Sequence, residues 1–324
     1  MSLTRSLICG LACAASSLSS SSFAASIGLT DIRTFTVPFG GWLEGAADYG
    51  AIGFNDNGDI AGTFTSPTAG TAGFVIPADG SAPVQIDRSG AQFTIVYGIN
   101  NQGTLVGRWE QDSVQHGFSY SNGVFTSVDL DNNTYPLAIN NHGDIVGYSN
   151  SFDGPSTGFL IENGTVATLG PRYTPKGIND LDQVVGFDSD DPRGGFLRQS
   201  NGSFETLDFN PYAMNNAGII VGYQYGGPVT VMIGSAEYTV EFPWDSYAYT
   251  YIGGINNLDQ VMGAYQDPNF TWHIFEGRLA LVPEPATGAL CGLLAIVGIA
   301  VAIRRRCPNH DSAKQQLDVE TVIE

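Results

Sequence analysis

The chain has 324 residues, of which 43% are hydrophobic and 14% charged, and its 41 glycines indicate many turns. This composition excludes a disordered chain and predicts a folded protein rich in β-strands. The formal net charge of −19 arises between Ala25 and Leu281, where 27 side chains are acidic and 8 basic. Because such a surface repels polyanions, we expect no nucleic-acid partner.

The first 24 residues have the pattern of a secretory signal peptide. Arg5 precedes an apolar run from Leu7 to Ala15, and Ser22 and Ala24 place small residues before a processing site. We therefore predict cleavage after Ala24 and export of a body that spans residues 25–281. Disulfides cannot stabilise this body, because the four cysteines lie outside it, at Cys9, Cys13, Cys291 and Cys307.

A short phrase of the form Gly/Ala-x-Asn-Asn/Asp recurs six times in the body. Its first asparagine stands at Asn55, Asn100, Asn140, Asn179, Asn215 and Asn256. The intervals of 45, 40, 39, 36 and 41 residues define a period of about 40, the mark of a repeated structural unit. Asparagine accepts left-handed backbone geometry and bonds nearby amides, so each phrase predicts a tight turn whose side chain can fix the neighbouring repeat.

The same order of strands follows each asparagine. An apolar strand such as Ile220–Tyr223 comes first. A second strand, 17 to 19 residues beyond the asparagine, is marked by Phe74, Phe118, Phe159, Phe196 and Phe275, with Met232 in the fifth copy. A third strand follows an Asn-Gly or similar turn, as in Asn122–Leu130, and a short fourth run such as Tyr135–Ile139 leads to the next asparagine.

Three or four strands in each of six repeats of about 40 residues predict an all-β fold, a six-bladed β-propeller. A β-solenoid remains the alternative, because it also stacks repeats, although solenoid coils are usually shorter and more uniform. A strand-like segment, Arg33–Val37, precedes the first asparagine, whereas the sixth repeat ends in Arg278–Val282. An N-terminal strand could thus complete the last blade and fasten the ring.

The phrase Gly-Ile-Asn-Asn-x-Gly-x-x-Val-Gly-Tyr, followed by His116-Gly117-Phe118, resembles the extracellular repeats called the HAF family after a His-Ala-Phe tripeptide. The resemblance covers about residues 50–280. Glycine replaces the alanine, and the histidine is kept in the second copy only. What the resemblance implies is an exported bacterial protein rather than a particular activity.

Three features follow one another after the body. The tripeptide Pro283-Glu284-Pro285 comes first, then the 18 apolar residues 286–303, then Arg304-Arg305-Arg306. Eighteen residues make a helix of about 27 Å, just long enough to cross a membrane, and the arginines would stay cytoplasmic. We predict a motif and transmembrane helix over residues 282–306 and a polar cytoplasmic tail over residues 307–324.

In this order, the tripeptide, the span and the arginine cluster resemble the PEP-CTERM sorting signal. The resemblance implies cleavage near Pro283-Glu284-Pro285 by an exosortase, a membrane-embedded enzyme, and delivery to the cell surface or an exopolysaccharide matrix. Members of this family usually end soon after the arginines, whereas this chain continues for the 18 residues 307–324. A plain C-terminal membrane anchor therefore remains the alternative.

Several acidic loops have the oxygen-rich composition of calcium sites. The weak candidate ligands are Asp56, Asp59, Asp129, Asp131, Asp188 and Asp190. None of these loops has the twelve-residue pattern with a closing glutamate, and ordinary acidic surface loops explain them equally. We therefore predict no cofactor, with calcium as the alternative.

The body offers three histidines for catalysis, His116, His142 and His273. It lacks a Gly-x-Ser-x-Gly elbow, a His-Glu-x-x-His zinc motif, a Walker loop and a cysteine nucleophile, so we expect no enzyme. A glycoside hydrolase or lyase stays an alternative, because a propeller can bring carboxylates together from different blades. One group of aromatic residues fits either sugar stacking or strand packing: Trp244, Tyr247, Tyr249, Tyr251, Phe270 and Trp272.

Together these features predict a secreted, non-catalytic structural or binding module of the cell surface or exopolysaccharide matrix. The expected partners are an exosortase, an extracellular polysaccharide and, through the C-terminal helix, the membrane. A polysaccharide hydrolase or lyase and a calcium-dependent adhesion module are the alternatives.

Overall fold

A computed structural model describes residues 26–43, 52–130, 133–150, 156–191, 194–224, 227–244 and 249–282. The predicted signal peptide, the sorting motif with its arginines, the predicted transmembrane helix and the tail lie outside the described residues, as do Asp131 and Tyr247. Among the residues that are described, no helix combines the length and the apolar character needed to span a membrane.

The described residues form six four-stranded antiparallel blades around one axis, and in each blade the first strand lies at the axis. In blade 1 this strand is in two pieces, because β2 and β3 both pair with β4. The strands of the first three blades are β2 (Trp42–Leu43), β3 (Ile52–Phe54), β4 (Ile60–Ser66), β5 (Gly70–Ile76) and β6 (Val84–Ile86); β7 (Phe93–Ile99), β8 (Leu105–Gln111), β9 (Val114–Ser121) and β10 (Val124–Ser127); β11 (Asn133–Ile139), β12 (Ile145–Asn150), β13 (Ser156–Glu162) and β14 (Thr165–Gly170).

Blades 4 to 6 repeat this meander, and the last blade takes its outer strand, β1, from the N-terminal side of the chain. A short 3₁₀ turn, Pro38–Gly40, follows β1. The strands are β15 (Tyr173–Ile178), β16 (Val184–Asp188), β17 (Gly195–Arg198) and β18 (Phe204–Leu207); β19 (Asn210–Met214), β20 (Ile220–Tyr223), β21 (Val229–Ile233) and β22 (Ala236–Glu241); β23 (Thr250–Ile255), β24 (Gln260–Gln266), β25 (Trp272–Leu281) and β1 (Ile27–Phe35).

The ring is closed by the N-terminal strand, as the sequence predicts. β1 pairs antiparallel with β25 from Ile27↔Leu281 to Phe35↔Ile274, so it begins earlier than the predicted Arg33 and ends before Val37. At the other end of the chain, Arg278–Leu281 continues β25 up to its last residue. A closed ring also excludes the β-solenoid, whose stack of repeats has two free ends.

In five of the six blades, a Gly of the second strand faces a Phe of the third strand, with strands counted from the axis. In blade 2, Gly107 pairs with Phe118, whose ring is fully buried, and a Cβ on this glycine would lie 2.8 Å from the ring. Equivalent pairs join Gly62 to Phe74, Gly147 to Phe159, Gly186 to Phe196 and Gly263 to Phe275. The inner strand lies closer still, since the same Cβ on Gly107 would be 2.0 Å from the carbonyl oxygen of Ile95. The glycine is therefore required by the approach of the inner strand and also makes room for the aromatic ring.

Blade 5 departs from the predicted pattern. Gly222 pairs with Thr230, whereas Met232, predicted at the phenylalanine position, pairs with Ile220 two residues further along. The reason is that the residue paired with the glycine stands closer to Asn215 in blade 5 than its counterparts stand to the asparagines of the other blades. Counting 17 residues from this asparagine therefore reaches Met232, two residues beyond Thr230, which is the true counterpart of the phenylalanines. The apolar volume comes instead from Met232 and the buried Phe209 in the same core cluster.

At the axis, the residue two positions before each asparagine is Gly or Ala, because the inner strands approach closely there. A Cβ on Gly53 would lie 3.0 Å from the Cα of Gly98, and one on Gly177 would lie 3.0 Å from the Cα of Ala213. Larger side chains would push the neighbouring blade outward, since those contacts are with backbone. Packing at the axis thus explains the Gly/Ala of the recurring phrase.

Candidate functional site: the axial channel and the rim of blade 6

The inner strands surround an axial channel with two cavities, separated by an apolar layer. This layer consists of the residues directly before the six asparagines: Phe54, Ile99, Ile139, Ile178, Met214 and Ile255. All six are buried. One cavity, of about 70 Å³, opens among the asparagine turns. The other, of about 90 Å³, lies at the end where the inner strands begin, and we call it the lysine cavity after Lys176 in its wall.

The six asparagine side chains form a closed ring of hydrogen bonds around the first cavity. Each Nδ2 donates to the backbone carbonyl of the asparagine in the next blade, over 3.1 to 3.2 Å, in the order Asn55, Asn100, Asn140, Asn179, Asn215, Asn256 and back to Asn55. Each Oδ1 accepts from backbone N–H groups of its own turn, as Asn140 does from His142 and Asp144. One side chain therefore holds its own turn and joins it to the next blade.

The following residues form a second ring. Each backbone N–H donates to the side-chain oxygen of the equivalent residue in the next blade, over 2.7 to 2.9 Å, in the order Asp56, Asn101, Asn141, Asp180, Asn216, Asn257 and back to Asp56. The two aspartates are three blades apart. The amides of Asn101 and Asn257 both donate to Asp56, and those of Asn141 and Asn216 both donate to Asp180.

In blade 4, these amide donors favour the charged form of Asp180. Burial alone would raise the pKa of Asp180, but hydrogen bonds from Asn216 and Asn141, with the nearby His142, bring this pKa below its ordinary value. The ring around the first cavity is therefore acidic and fully engaged in joining blades.

The wall of the lysine cavity departs from the repeat pattern. Its outermost layer is made by the residues three positions before the asparagines: Ile52, Tyr97, Leu137, Lys176, Tyr212 and Gly253. In blades 2 to 6 these residues sit at a β-bulge of the inner strand, which leaves them outside the regular pairing. This layer contains two aliphatic residues, two tyrosines, one glycine and one lysine, so the six copies differ in size, polarity and charge here.

The predicted calcium ligands bind N–H and O–H donors instead of converging on one point. Asp59 accepts from Asn55 Nδ2 at 2.9 Å and from the Ala78 backbone at 3.0 Å. Asp129 accepts from the Gly117 backbone and from Ser127 Oγ, each at 2.8 Å. Asp56 belongs to the second ring.

Asp188 and Asp190 both face Arg172. Arg172 donates to both carboxylate oxygens of Asp188 and lies 3.4 Å from Asp190. The hydrogen bonds from Arg172 hold the pKa of Asp188 below its ordinary value. This pair is thus explained by an arginine, and the described candidates give no shared cation position.

Two histidines occupy equivalent positions in different blades, which the sequence reading missed. His116 pairs across strands with Trp109, and His273 pairs in the same way with Tyr265; in each pair the rings stack. The prediction that the histidine is kept only in the second copy is therefore wrong. His273 stands two residues before Phe275, just as His116 stands two residues before Phe118.

Each of these histidines also bonds an aspartate. His116 Nδ1 lies 3.0 Å from Asp129, and His273 Nε2 lies 3.1 Å from Asp267. The hydrogen bond from His273 lowers the pKa of Asp267. The two pairs lie in separate blades, so they do not form one catalytic centre.

A third histidine lies on the asparagine side, between blades 3 and 4. Ligand atoms of His142, Asp144 and Asp182 lie within 4.8 Å of one another. Asp144 is buried and accepts from Asn140 Nδ2 and from the Asn163 backbone. The sequence does not show this group, because its members come from two repeats and meet only in the folded structure. By itself it does not define a metal site.

An exposed aromatic cluster lies on the rim of blade 6, at the end of the propeller that holds the lysine cavity. Tyr249 and Trp272 have ring centroids 6.5 Å apart, and Tyr249 is 55% exposed. Trp272 also contacts the buried Tyr251 and packs against the core cluster that contains Leu43 of blade 1. Of the predicted aromatic group, Trp244 serves packing instead, since it stacks on Tyr265.

Phe270, two residues before Trp272, is a second exposed ring on this rim, with 77% of its surface accessible. It lies in the turn before Trp272 and has a φ of 62°, which is uncommon for a bulky residue. The turn is fixed by Asp267, whose side chain accepts from the backbones of Asn269 and Thr271. Phe270 is thus held outward by local hydrogen bonds.

No protein-family model matches the chain, and no curated protein matches it. Solved structures with a similar fold include virginiamycin B lyase from Staphylococcus aureus, at 10% identity and a TM-score of 0.46, covering 78% of this chain and 99% of that one. The β-propeller domain of the Trilobed protease from Pyrococcus furiosus aligns at 8% identity and a TM-score of 0.42, covering 73% and 98%. The Aleuria aurantia lectin aligns at 10% identity and a TM-score of 0.45, covering 82% of this chain and 98% of the lectin. Similarity this weak carries no information about activity.

Proposed function

We propose that this chain is an exported propeller that binds an extracellular glycan without cleaving it. The observation that carries the proposal is the aromatic rim of blade 6, where Tyr249 and Phe270 are exposed and Trp272 is partly buried. Aromatic faces stack on the apolar faces of sugar rings, and a rigid ring loses little conformational entropy on binding. Trp272 is supported by the core behind it, and Phe270 by its turn, so the surface is preformed.

A binding role is favoured over catalysis by the way the described acids and bases are used. The two His–Asp pairs lie in separate blades, and the carboxylates of the second ring are engaged by amides. A glycosidase needs two carboxyl groups placed on either side of one sugar bond. The described residues offer the aromatic surface without such a pair beside it.

Retention on polysaccharide tests the binding role. Replacing Tyr249 or Trp272 with Ala is expected to weaken binding at least fivefold, because a central aromatic contact usually contributes more than about 1 kcal/mol. Affinity electrophoresis through gels containing neutral polysaccharides measures the change. Phe204→Ala, which removes a partly exposed ring from the outer strand of blade 4, is the matched control and should bind as the parent does.

Two results would contradict the proposal. Equal loss of retention with Phe204→Ala would show that the blade 6 cluster is not the binding surface. Release of oligosaccharide during the assay would instead favour the hydrolase or lyase alternative.

We further infer that export depends on the N-terminal signal and the C-terminal sorting motif. The supporting features are the signal-like residues 1–24, the cysteine-free body, and the order of tripeptide, apolar span and arginines. In cells with an exosortase, the intact mass of the exported protein should show the loss of residues 1–24 and of Arg304-Arg305-Arg306. An exported protein that still carries the three arginines would exclude this route and favour a plain membrane anchor.

A further inference from the structure

The lysine cavity contains a charge that the repeat does not require. The whole chain has two lysines, Lys176 and Lys314, and only Lys176 belongs to the propeller. The other five blades place Ile52, Tyr97, Leu137, Tyr212 and Gly253 at the same position. None of these five residues carries a charge, so the repeat itself does not explain the lysine.

An aromatic ring lies beside this charge. Lys176 Nζ lies 5.2 Å from the ring centroid of Phe187, within the range of a cation–π contact. Phe187 in turn packs edge-on against Tyr212, another residue of the cavity wall. The lysine side chain is therefore supported from behind while its residue lines the cavity.

A second positive charge contacts a residue of the cavity wall. Arg108 Nε donates to the hydroxyl of Tyr97, a cavity residue, at 2.7 Å. Its guanidinium lies 5.3 Å from the ring centroid of Phe93 and 4.9 Å from that of Tyr135. One of the few basic residues of a strongly acidic molecule thus lines the cavity, and a second lies behind Tyr97 of its wall.

We propose that the lysine cavity binds a single carboxylate carried by an otherwise neutral glycan. This inference rests on the proposed glycan-binding function and specifies the ligand. Lys176 would bind the carboxylate by a charge-assisted hydrogen bond, the stronger class of hydrogen bond. A cavity of about 90 Å³ suits the carboxylate with the carbon that bears it, while the sugar ring stays at the mouth.

The surface charge sets an upper limit on the charge of this glycan. A net charge of −19 repels a polymer with an acid on every sugar, at ordinary salt. A chain with one acidic sugar among several neutral ones avoids most of this repulsion. The ligand class is therefore a sparsely acidic glycan rather than a polyuronate.

Three tetrasaccharides of similar size test the inference by titration calorimetry of the full-length protein. Aldotetraouronic acid carries one carboxylate on a neutral xylose chain, xylotetraose carries none, and tetragalacturonate carries four. At low salt we expect aldotetraouronic acid to bind about tenfold more tightly than xylotetraose, because a charged hydrogen bond distinguishes them. Tetragalacturonate should bind more weakly than aldotetraouronic acid.

The variant Lys176→Met should abolish the tenfold preference and leave the affinity for xylotetraose unchanged. Lys176→Arg should keep most of the preference, and Arg278→Met, which removes an exposed charge from β25, should keep all of it. The methyl ester of aldotetraouronic acid makes the same comparison on the unaltered protein, and it should bind like xylotetraose. The methyl ester comparison tests the inference even where a substitution at Lys176 harms folding.

Equal affinity for aldotetraouronic acid and xylotetraose would overturn the inference but leave the proposed glycan-binding function standing. Equal affinity for the acid and its methyl ester would overturn it as well. Failure of the proposed function is recognised separately, by the absence of retention in the polysaccharide gels.

Discussion

Replacing Asn140 with Ala is expected to lower the free energy of unfolding by about 3–5 kcal/mol. Asn140 is 3% exposed, and its amide donates to the Asn179 carbonyl and to Asp144. Its Oδ1 accepts from the backbones of His142 and Asp144. The substitution therefore leaves several buried polar groups without partners and opens the ring between blades 3 and 4. Urea unfolding followed by circular dichroism measures the loss.

The control for this prediction is Asn201→Ala. Asn201 is exposed and its side chain accepts one hydrogen bond, from the Ser203 backbone. Its removal should change the free energy of unfolding by no more than about 0.5 kcal/mol. If Asn140→Ala were as mild as this control, the asparagine ring would contribute little to joining the blades.

A chain that lacks residues 26–36 is expected to lose the cooperative unfolding of the closed ring, with a cost of about 5 kcal/mol or more. Removing β1 takes away the pairing with β25 and the fully buried Ile27. It also removes Arg33, which pairs with the buried Glu276, and an unpaired buried charge costs several kcal/mol. This sum is comparable with the whole stability of a typical domain. A broadened transition at lower urea concentration is the expected result.

A synthetic peptide of residues 26–36 provides the test of mechanism. Added to the shortened chain, it should raise the urea midpoint, because it can occupy the free edge of β25. The same peptide with Arg33→Ala should rescue less, since Glu276 stays without its cation. An unchanged midpoint after the deletion would show that the blades hold together without the N-terminal strand.

The sequence predicted the strands and the blades well, because the signals for them are local. Alternating apolar residues and Asn-Gly turns act within a few positions, so β20, predicted at Ile220–Tyr223, has the predicted bounds. The closing strand could be predicted as well, because the last repeat lacked a counterpart for the segment at Arg33. These features depend on pairing between neighbours in the chain.

The candidate site was harder to predict, because its members meet only around the axis. Lys176, Tyr97 and Tyr212 are 36 or more residues apart, and nothing in their local sequence shows that they line one cavity. His142 and Asp182 likewise meet across a blade boundary. An alignment of the six copies on their asparagines would have revealed Lys176 as the one cation at its position, which is the signal the sequence reading left unused.

The two closed rings of hydrogen bonds also bear on how many repeats the protein can contain. In a closed ring, every asparagine amide donates to a carbonyl 3.1 to 3.2 Å away in the next blade. Adding or removing a single blade would therefore break the ring. A seventh copy would widen the circle, pull apart the glycine contacts at the axis and leave Asp56 and Asp180 no longer opposite each other. We therefore expect evolution to have altered the loops and the cavity wall of this protein far more readily than its repeat number.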